Sequence, residues 1–207
     1  MSQDVEIIER ETPYKGFFRI DRYKLRHRLH AGGWSEPMVR EVFERGNAVG
    51  VLLYDPDQDR VVLIEQFRLP AHVAGHNAWQ LEVVAGVMDG DDDESPGDVA
   101  RREAREEAGV AILGPLVPIH RVMPSPGGST EAIELFCGRV DARTAEGIHG
   151  LAEEHEDIKI VTFSYSEISK LLKQQKIENG PAIIALYWLA ANRTRLRRMW
   201  NEPPSLV

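Results

Sequence analysis

Apolar and polar positions along this chain recur with two periods, near two in some stretches and near three and a half in others. Over the first 45 residues, 17–20, 23–29 and 38–43 mix apolar with basic positions, and His30-Ala31-Gly32-Gly33 interrupts them as a turn. This pattern predicts a small antiparallel sheet. Residues 50–54 and 60–67 are apolar runs joined by Asp55-Pro56-Asp57-Gln58-Asp59, which is turn chemistry, so they form a hairpin. Further strands are expected over 79–85, 115–122, 131–140 and 158–163, and helices over 95–108, 166–177 and 181–200. Strands and helices interleave, which places the chain in the α/β or α+β class, a sheet with helices packed on it.

The helix over 95–108 has the clearest boundaries. Ser95 suits the N-cap, Pro96 the first turn, Asp98 the positive end of the dipole, and Gly109 a left-handed stop. At ~100° per residue, Glu103, Glu106 and Glu107 share one face. Ala100, Ala104 and Ala108 form an adjoining stripe for close packing on a sheet, and Arg101 and Arg105 point away toward solvent. Three carboxylates on one face repel one another. Either they are a solvated face with Arg102 and Arg105 as local partners, or they hold a divalent cation. From the wheel alone these two readings stand level. An all-oxygen donor set favours a hard cation, Mg²⁺ or Mn²⁺. An EF-hand beginning at Asp89 is excluded, because its sixth position is Glu94 rather than Gly and its twelfth is Ala100.

Composition narrows the function classes. The 207 residues carry 25 Lys+Arg against 33 Asp+Glu, a net charge of −8, which argues against a general nucleic-acid binder. The single cysteine, Cys137, lies in a strand-like run and reads as a core thiol rather than a nucleophile. Residues 181–191, the longest apolar stretch, are too short to span a bilayer, and the first residues lack the pattern of a secretory signal. The expected location is the cytoplasm, with no membrane partner. The final helix is apolar nearly all round at Ile183, Ile184, Leu186, Tyr187, Trp188 and Leu189, which predicts core packing. Its basic end, Arg193, Arg195, Arg197 and Arg198, complements the helix dipole more readily than it makes a nucleic-acid patch. His149 and His155 read as loop residues.

The run Arg102-Glu103-Ala104-Arg105-Glu106-Glu107-Ala108-Gly109-Val110 resembles the second half of the Nudix box, with Glu94 in register before it. The first Gly of that box would fall on Met88. Gly86 is the equivalent, so the loop over 87–93 is two residues longer than the pattern. The resemblance extends over nearly the whole chain. Residues 14–18, 40–46, 62–68, Ser125-Pro126-Gly127-Gly128 and 147–157 are similar to the bacterial ADP-ribose pyrophosphatases. It implies an α+β fold: an α/β/α Nudix sandwich with a mixed sheet over 47–207, carrying the box helix 95–108, plus a small N-terminal antiparallel β-sheet over 1–46 that serves a homodimer.

The same resemblance implies Mg²⁺-dependent hydrolysis of the pyrophosphate of ADP-ribose to AMP and ribose 5-phosphate. Glu103, Glu106, Glu107, Glu156 and the Ala85 carbonyl would hold the metal, and Glu154 would be the general base. Without the box, 153–157 would read as an ordinary solvated loop. Phe17, Phe18, Arg40, Glu41, Arg45, Arg68, Val87, Ser125 and Glu131 are the expected substrate contacts. Phe17 would stack on adenine, or else be a strand-core aromatic. Arg68 would meet phosphate, Ser125 and Glu131 would line the ribose side, and Arg40 would act in the partner subunit's site; any lone arginine reads equally as surface charge. Two alternatives remain: the same chemistry on another nucleoside diphosphate sugar such as GDP-mannose or ADP-glucose, or a non-catalytic ADP-ribose sensor.

Overall fold

The computed structural model describes residues 4–88 and 94–201. The run Asp89–Asp93, and with it most of the longer loop, lies outside the described residues. The chain divides into two units. The first contains the described residues up to Asn47 together with Met123–Ala132; the second contains Ala48–Val122 and the chain from Ile133 onward.

The first unit is an antiparallel sheet, β1 (Val5–Lys15), β2 (Arg19–His27) and β3 (Met38–Glu44), in that order. Every residue of β1 is exposed, and two irregularities, between Ile7 and Glu9 and between Glu11 and Tyr14, break its pairing with β2. This strand is absent from the hydrophobic pattern. Phe17 and Phe18, read as strand, occupy the bend between β1 and β2 instead. Asp21 is buried in this sheet and accepts from Arg10 and the Thr12 hydroxyl, each at 2.7 Å, with Arg19 at 3.1 Å. These donors, Thr12 first, hold its carboxyl below the usual range.

The second unit is built on an eight-stranded sheet. It contains β4 (Asn47–Asp55), β5 (Arg60–Phe67), β6 (Trp79–Glu82), β7 (Val84–Met88), β8 (Leu113–Val122), β9 (Ile133–Arg139), β10 (Ile148–His149) and β11 (Ile158–Ser164). The order is β10-β11-β5-β4-β9-β8, with β6 pairing β5 and β7 pairing β4. The β4–β9 pair is parallel, whereas β5 pairs antiparallel with β4, β6 and β11, so the sheet is mixed. The single strand expected over 79–85 is two strands, interrupted at Val83. The helices are α1 (Leu69–Val73), which the sequence pattern did not suggest, α2 (Pro96–Glu106), α3 (Tyr165–Lys173) and α4 (Gly180–Asn201).

Period-two alternation sorts the sheet residues between two apolar layers. Leu52, Tyr54, Leu63, Leu135 and Cys137 join Ile168 of α3 and Leu186 and Leu189 of α4 in one. Val51, Leu53, Val62 and Ile64 join Val99, Ala100 and Ala104 of α2 in the other. Burial pushes the Cys137 thiol well up, as a core thiol requires. The basic end of α4 is partly consumed inside this unit. Arg193 pairs with Asp59 in the β4–β5 turn and lies 4.3 Å over the Tyr165 ring, and Arg197 approaches Asp59 at 3.7 Å. Among the described residues, no helix is long and apolar enough to cross a membrane.

Candidate active site

Local chemistry starts α2 where the sequence indicated. The Ser95 hydroxyl accepts the Asp98 amide at 3.3 Å, Pro96 fills the first turn, and Gly109 leaves the helix at φ +62°. The regular helix closes at Glu106 with Glu107 as C-cap, slightly inside the expected 108. Arg101 does not simply face solvent: its guanidinium donates to the Ile112 and Gly114 carbonyls at 3.2 and 2.6 Å. Packing of Ala100 and Ala104 on the sheet carries the carboxylates to the margin of the apolar layer. Glu107 is 3% exposed, and its Oε2 accepts the Ala85 amide of β7 at 2.9 Å. A β-carbon on Gly86 would overlap the Glu103 carboxylate, so glycine lets the β7 backbone run directly beneath it.

Arg102 gathers the outer carboxylates. Its Nη1 donates to Glu103 Oε1 and Glu106 Oε2, both at 2.8 Å, and the same guanidinium stands 3.5 Å from Glu94. Glu156 arrives from the loop before β11. Its Oε1 accepts from Gln66 Nε2 at 3.4 Å and its Oε2 from the Leu151 amide at 3.2 Å. The Gly150 amide donates to the Glu106 carbonyl at 3.2 Å and ties that loop to the end of α2. Arg68, directly after β5, forks onto Glu82 of β6 with Nε–Oε1 at 3.1 Å and Nη2–Oε2 at 2.8 Å.

Electrostatics show that these groups feel one another. Burial pushes the Glu107 carboxyl up to about 8; the Ala85 N–H opposes this, while the charges of Glu103 and Glu156 add to it and Arg68 relieves it. Burial also raises Glu103, with Arg102 opposing and Glu106 and Glu156 adding. Among the described residues, no three acidic, histidine or cysteine side chains stand close enough together to hold an ion as they are. The geometry accounts for this: Arg102 draws Glu103 and Glu106 to itself, and Glu107 faces the Ala85 amide. The donor chemistry nonetheless fits a hard divalent cation. The candidate ligands are all oxygens, and two of the carboxyls lie raised in a partly buried setting that positive charge would relieve.

The other expected residues of this unit are more open. Glu154 is exposed on a 3-10 turn, Ala152–Glu154, that ends at His155 in the left-handed region. Val87 is half-exposed on β7. His149 belongs to β10 rather than a loop; its ring rests against Gly109, and its Nε2 lies 2.8 Å from the Glu146 carbonyl.

The first unit carries the remaining candidates. Phe17 is 96% exposed and meets Phe18 edge-on at 4.9 Å; Phe18 meets Phe43 the same way. Arg40 and Glu41 are exposed on β3, with Arg40 Nη1 on the Val39 carbonyl at 2.8 Å. Arg45 pairs with Glu131 at 2.9 Å. Backbone bonds from the Ser125 loop to β3, Phe43 N to Gly128 O at 2.8 Å and Thr130 N to Phe43 O at 3.3 Å, bring Ser125 and Glu131 into this unit.

The family model for the NUDIX domain matches residues 44–186. The chain belongs to the NUDIX family. This NUDIX chain is 47% identical over 197 residues to the ADP-ribose pyrophosphatase of Escherichia coli (strain K12), covering 95% of this chain and 93% of that protein. It is 32% identical to the GDP-mannose pyrophosphatase of Pectobacterium atrosepticum, over 90% of this chain and 94% of that one. Its fold is similar to the crystal structure of an ADP compounds hydrolase, with a TM-score of 0.71 at 19% identity, covering 94% and 97% of the two chains. Sequence reading of the NUDIX box missed Glu82 and Gln66, both buried polar residues beside the candidate ligands. Their signal was a polar residue at an inward position of an apolar strand, which costs free energy unless it is partnered.

Proposed function

We propose that this NUDIX enzyme hydrolyses the pyrophosphate bond of ADP-ribose, giving AMP and ribose 5-phosphate. The observation that carries the reading is 47% identity across 95% of the chain to an ADP-ribose pyrophosphatase. The buried Glu107 and the partly buried Glu103 and Glu156, with Arg68 near Glu107 and Glu156, support it. Glu103, Glu106, Glu107, Glu156 and the Ala85 carbonyl are the proposed ligands for Mg²⁺ or Mn²⁺. Bound there, the divalent ion supplies charge neutralisation and polarisation of the pyrophosphate.

The chain's own groups do the rest. Glu154, on its exposed turn, takes a proton from or orients the water that attacks phosphorus in line. Arg68 offers guanidinium N–H groups to phosphate oxygens. Val87 lines the substrate from β7. Phe17 stacks on adenine beside Phe18. Arg40, Glu41, Arg45, Ser125 and Glu131 contact nucleoside and ribose, Arg40 toward the partner subunit's substrate in a homodimer. The enzyme acts in the cytoplasm and requires neither nucleic acid nor membrane.

The second reading, hydrolysis of another nucleoside diphosphate sugar, draws on the 32% identity to a GDP-mannose pyrophosphatase. Product analysis separates them: purified protein with Mg²⁺ is offered ADP-ribose, ADP-glucose, GDP-mannose and NADH, with an EDTA control. Metal-dependent AMP and ribose 5-phosphate, with ADP-ribose fastest, is the expected result. Faster turnover of another member replaces the substrate and keeps the chemistry. No turnover of any member overturns hydrolysis and leaves the sensor reading.

A further inference from the structure

Glu82 is a carboxylate where the fold alone asks for an apolar side chain. It is 5% exposed, stands opposite Ile64 in the β5–β6 pairing, and shares a sheet face with Val62 and Val84 of the α2-side layer. A buried ion pair is a poor device for stability, because desolvating two charges offsets most of their attraction and a hydrophobic residue does as well or better. Glu82 therefore needs a reason beyond packing, and Arg68 provides one. Both Glu82 oxygens accept from one edge of the Arg68 guanidinium, a bidentate fork that fixes the plane of the guanidinium as well as its place. The fork uses two of the five guanidinium N–H groups and leaves the others for a ligand.

The pair runs from inside to outside. The Glu82 side chain is 7% exposed and the Arg68 side chain 40%. The carboxylates of Glu107 and Glu156 also act on Arg68, so without Glu82 the guanidinium would be free to fall onto them. We infer that Glu82 is a positioning residue: it holds Arg68 oriented for the pyrophosphate of the substrate and away from the candidate metal carboxylates. This rests on the proposed pyrophosphohydrolase function. It assigns Glu82 a role in substrate binding that it performs through Arg68, without touching substrate.

The test compares the parent with Glu82→Gln, Glu82→Asp, Arg68→Ala and the Arg68→Ala/Glu82→Gln double variant, on the panel member the parent hydrolyses fastest. Glu82→Gln is expected to raise KM about tenfold to a hundredfold with a smaller change in kcat. Glu82→Asp, which keeps the charge with a shorter reach, is expected to recover part of that loss. The double variant is expected to be no worse than Arg68→Ala, because the two residues act as a unit. The Arg68 Nε–H resonance, assigned by its disappearance in Arg68→Ala, reads the pair without substrate; it is expected to be exchange-protected in the parent and to lose protection in Glu82→Gln.

A merely structural Glu82 would lower Tm or the active fraction and leave KM at the parent value, which overturns the inference. So do losses that multiply in the double variant, or an Nε–H signal lost with KM unmoved. If Glu82→Gln fails to fold, Glu82→Asp decides alone, and an unchanged KM there sinks the idea. Failure of the function itself shows earlier and separately: a parent inactive on every panel member overturns the function and this inference together.

Discussion

The candidate metal carboxylates of the second unit and the candidate nucleoside contacts Phe17, Arg40 and Glu41 of the first are carried in opposite ways. In the second unit they are drawn into the protein: Glu107 and Glu82 are buried, and Glu103, Glu106 and Glu156 are each hydrogen-bonded to a named partner. In the first unit Phe17, Arg40 and Glu41 stand on an open sheet or bend. Buried charge is expensive and tightly held; exposed side chains cost little and are loosely held. The difference matches the division of labour proposed above, with transition-state chemistry on a pre-organised floor and base recognition on a surface that substrate itself completes. The same contrast predicts which substitutions disturb activity, which disturb stability, and which disturb neither.

The sharpest break is Glu103→Gln. Its carboxylate sits over Gly86 and is shared with Arg102, so the isosteric amide keeps the shape and loses the charge. We expect kcat/KM for ADP-ribose to fall by about three orders of magnitude, with an unchanged far-UV spectrum. Parent-like turnover would remove Glu103 from the metal site. Next is Glu154→Gln, expected to lose roughly a hundredfold to a thousandfold in kcat while Mg²⁺ binding, read by calorimetry, stays intact. Because Glu154 is exposed, this variant should not change Tm. A small effect on kcat would pass the base role to Glu153 or Glu156.

Glu107 turns the comparison into a stability measurement. Its carboxyl is raised to about 8 in the folded protein, against an ordinary glutamate value of 4.5, by burial and by Glu103 and Glu156, with the Ala85 N–H and Arg68 opposing. Between those two values the folded state holds a proton that the unfolded state has released. Stability of the metal-free protein therefore falls as pH rises from about 4.5 to about 8, and levels off above that. Glu103, raised in the same direction, deepens the slope. The loss amounts to roughly a few kcal/mol at its largest. Glu107→Gln should thus be inactive yet more stable than the metal-free parent at pH 8. Added Mg²⁺ should close that gap by stabilising the parent alone. Thermal melts across pH with EDTA or Mg²⁺ check both; a parent whose Tm rises from pH 5 to 8 in EDTA would refute the assignment.

Legibility in the sequence followed the range of the interactions. The α2 boundaries, the box carboxylates and the β4–β5 hairpin rest on neighbours within a few residues, and all were readable. Strand β1 was not. Its apolar residues Val5, Ile7 and Ile8 are interspersed with charges, but every position is exposed and two irregularities break the register, so no core-facing face is left to detect. Glu82 was hidden for the opposite reason. It looks like a flaw in an apolar strand until β5–β6 pairing brings Arg68, fourteen residues away, onto it. The convergence of Ser125 and Glu131 with β3 likewise depends on hydrogen bonds between segments more than eighty residues apart in the chain, as the Phe43–Gly128 backbone bond and the Thr130–Glu44 side-chain bond show.

The mildest test lies at the open end of the contrast. Phe17 is 96% exposed, and its ring meets that of Phe18 in the same bend. An aromatic held so far into solvent contributes almost nothing to folding, so Phe17→Ala should leave Tm within experimental error. Its value would come only when a base stacks on it. Stacking of a base on an aromatic ring is worth about 1–3 kcal/mol by alanine substitution. The expected result is a KM for ADP-ribose raised about fivefold to a hundredfold with kcat nearly unchanged, because stacking far from phosphorus acts alike in the ground and transition states. Leucine, which keeps apolar area without a π-face, should recover little of the loss, whereas tryptophan should recover most of it. Equal KM values in all three variants would leave Phe17 an exposed strand-end aromatic and move base recognition elsewhere. A drop in Tm with no change in KM would erase the contrast itself, since the open unit would then be using its surface aromatics for folding as the closed unit uses its core.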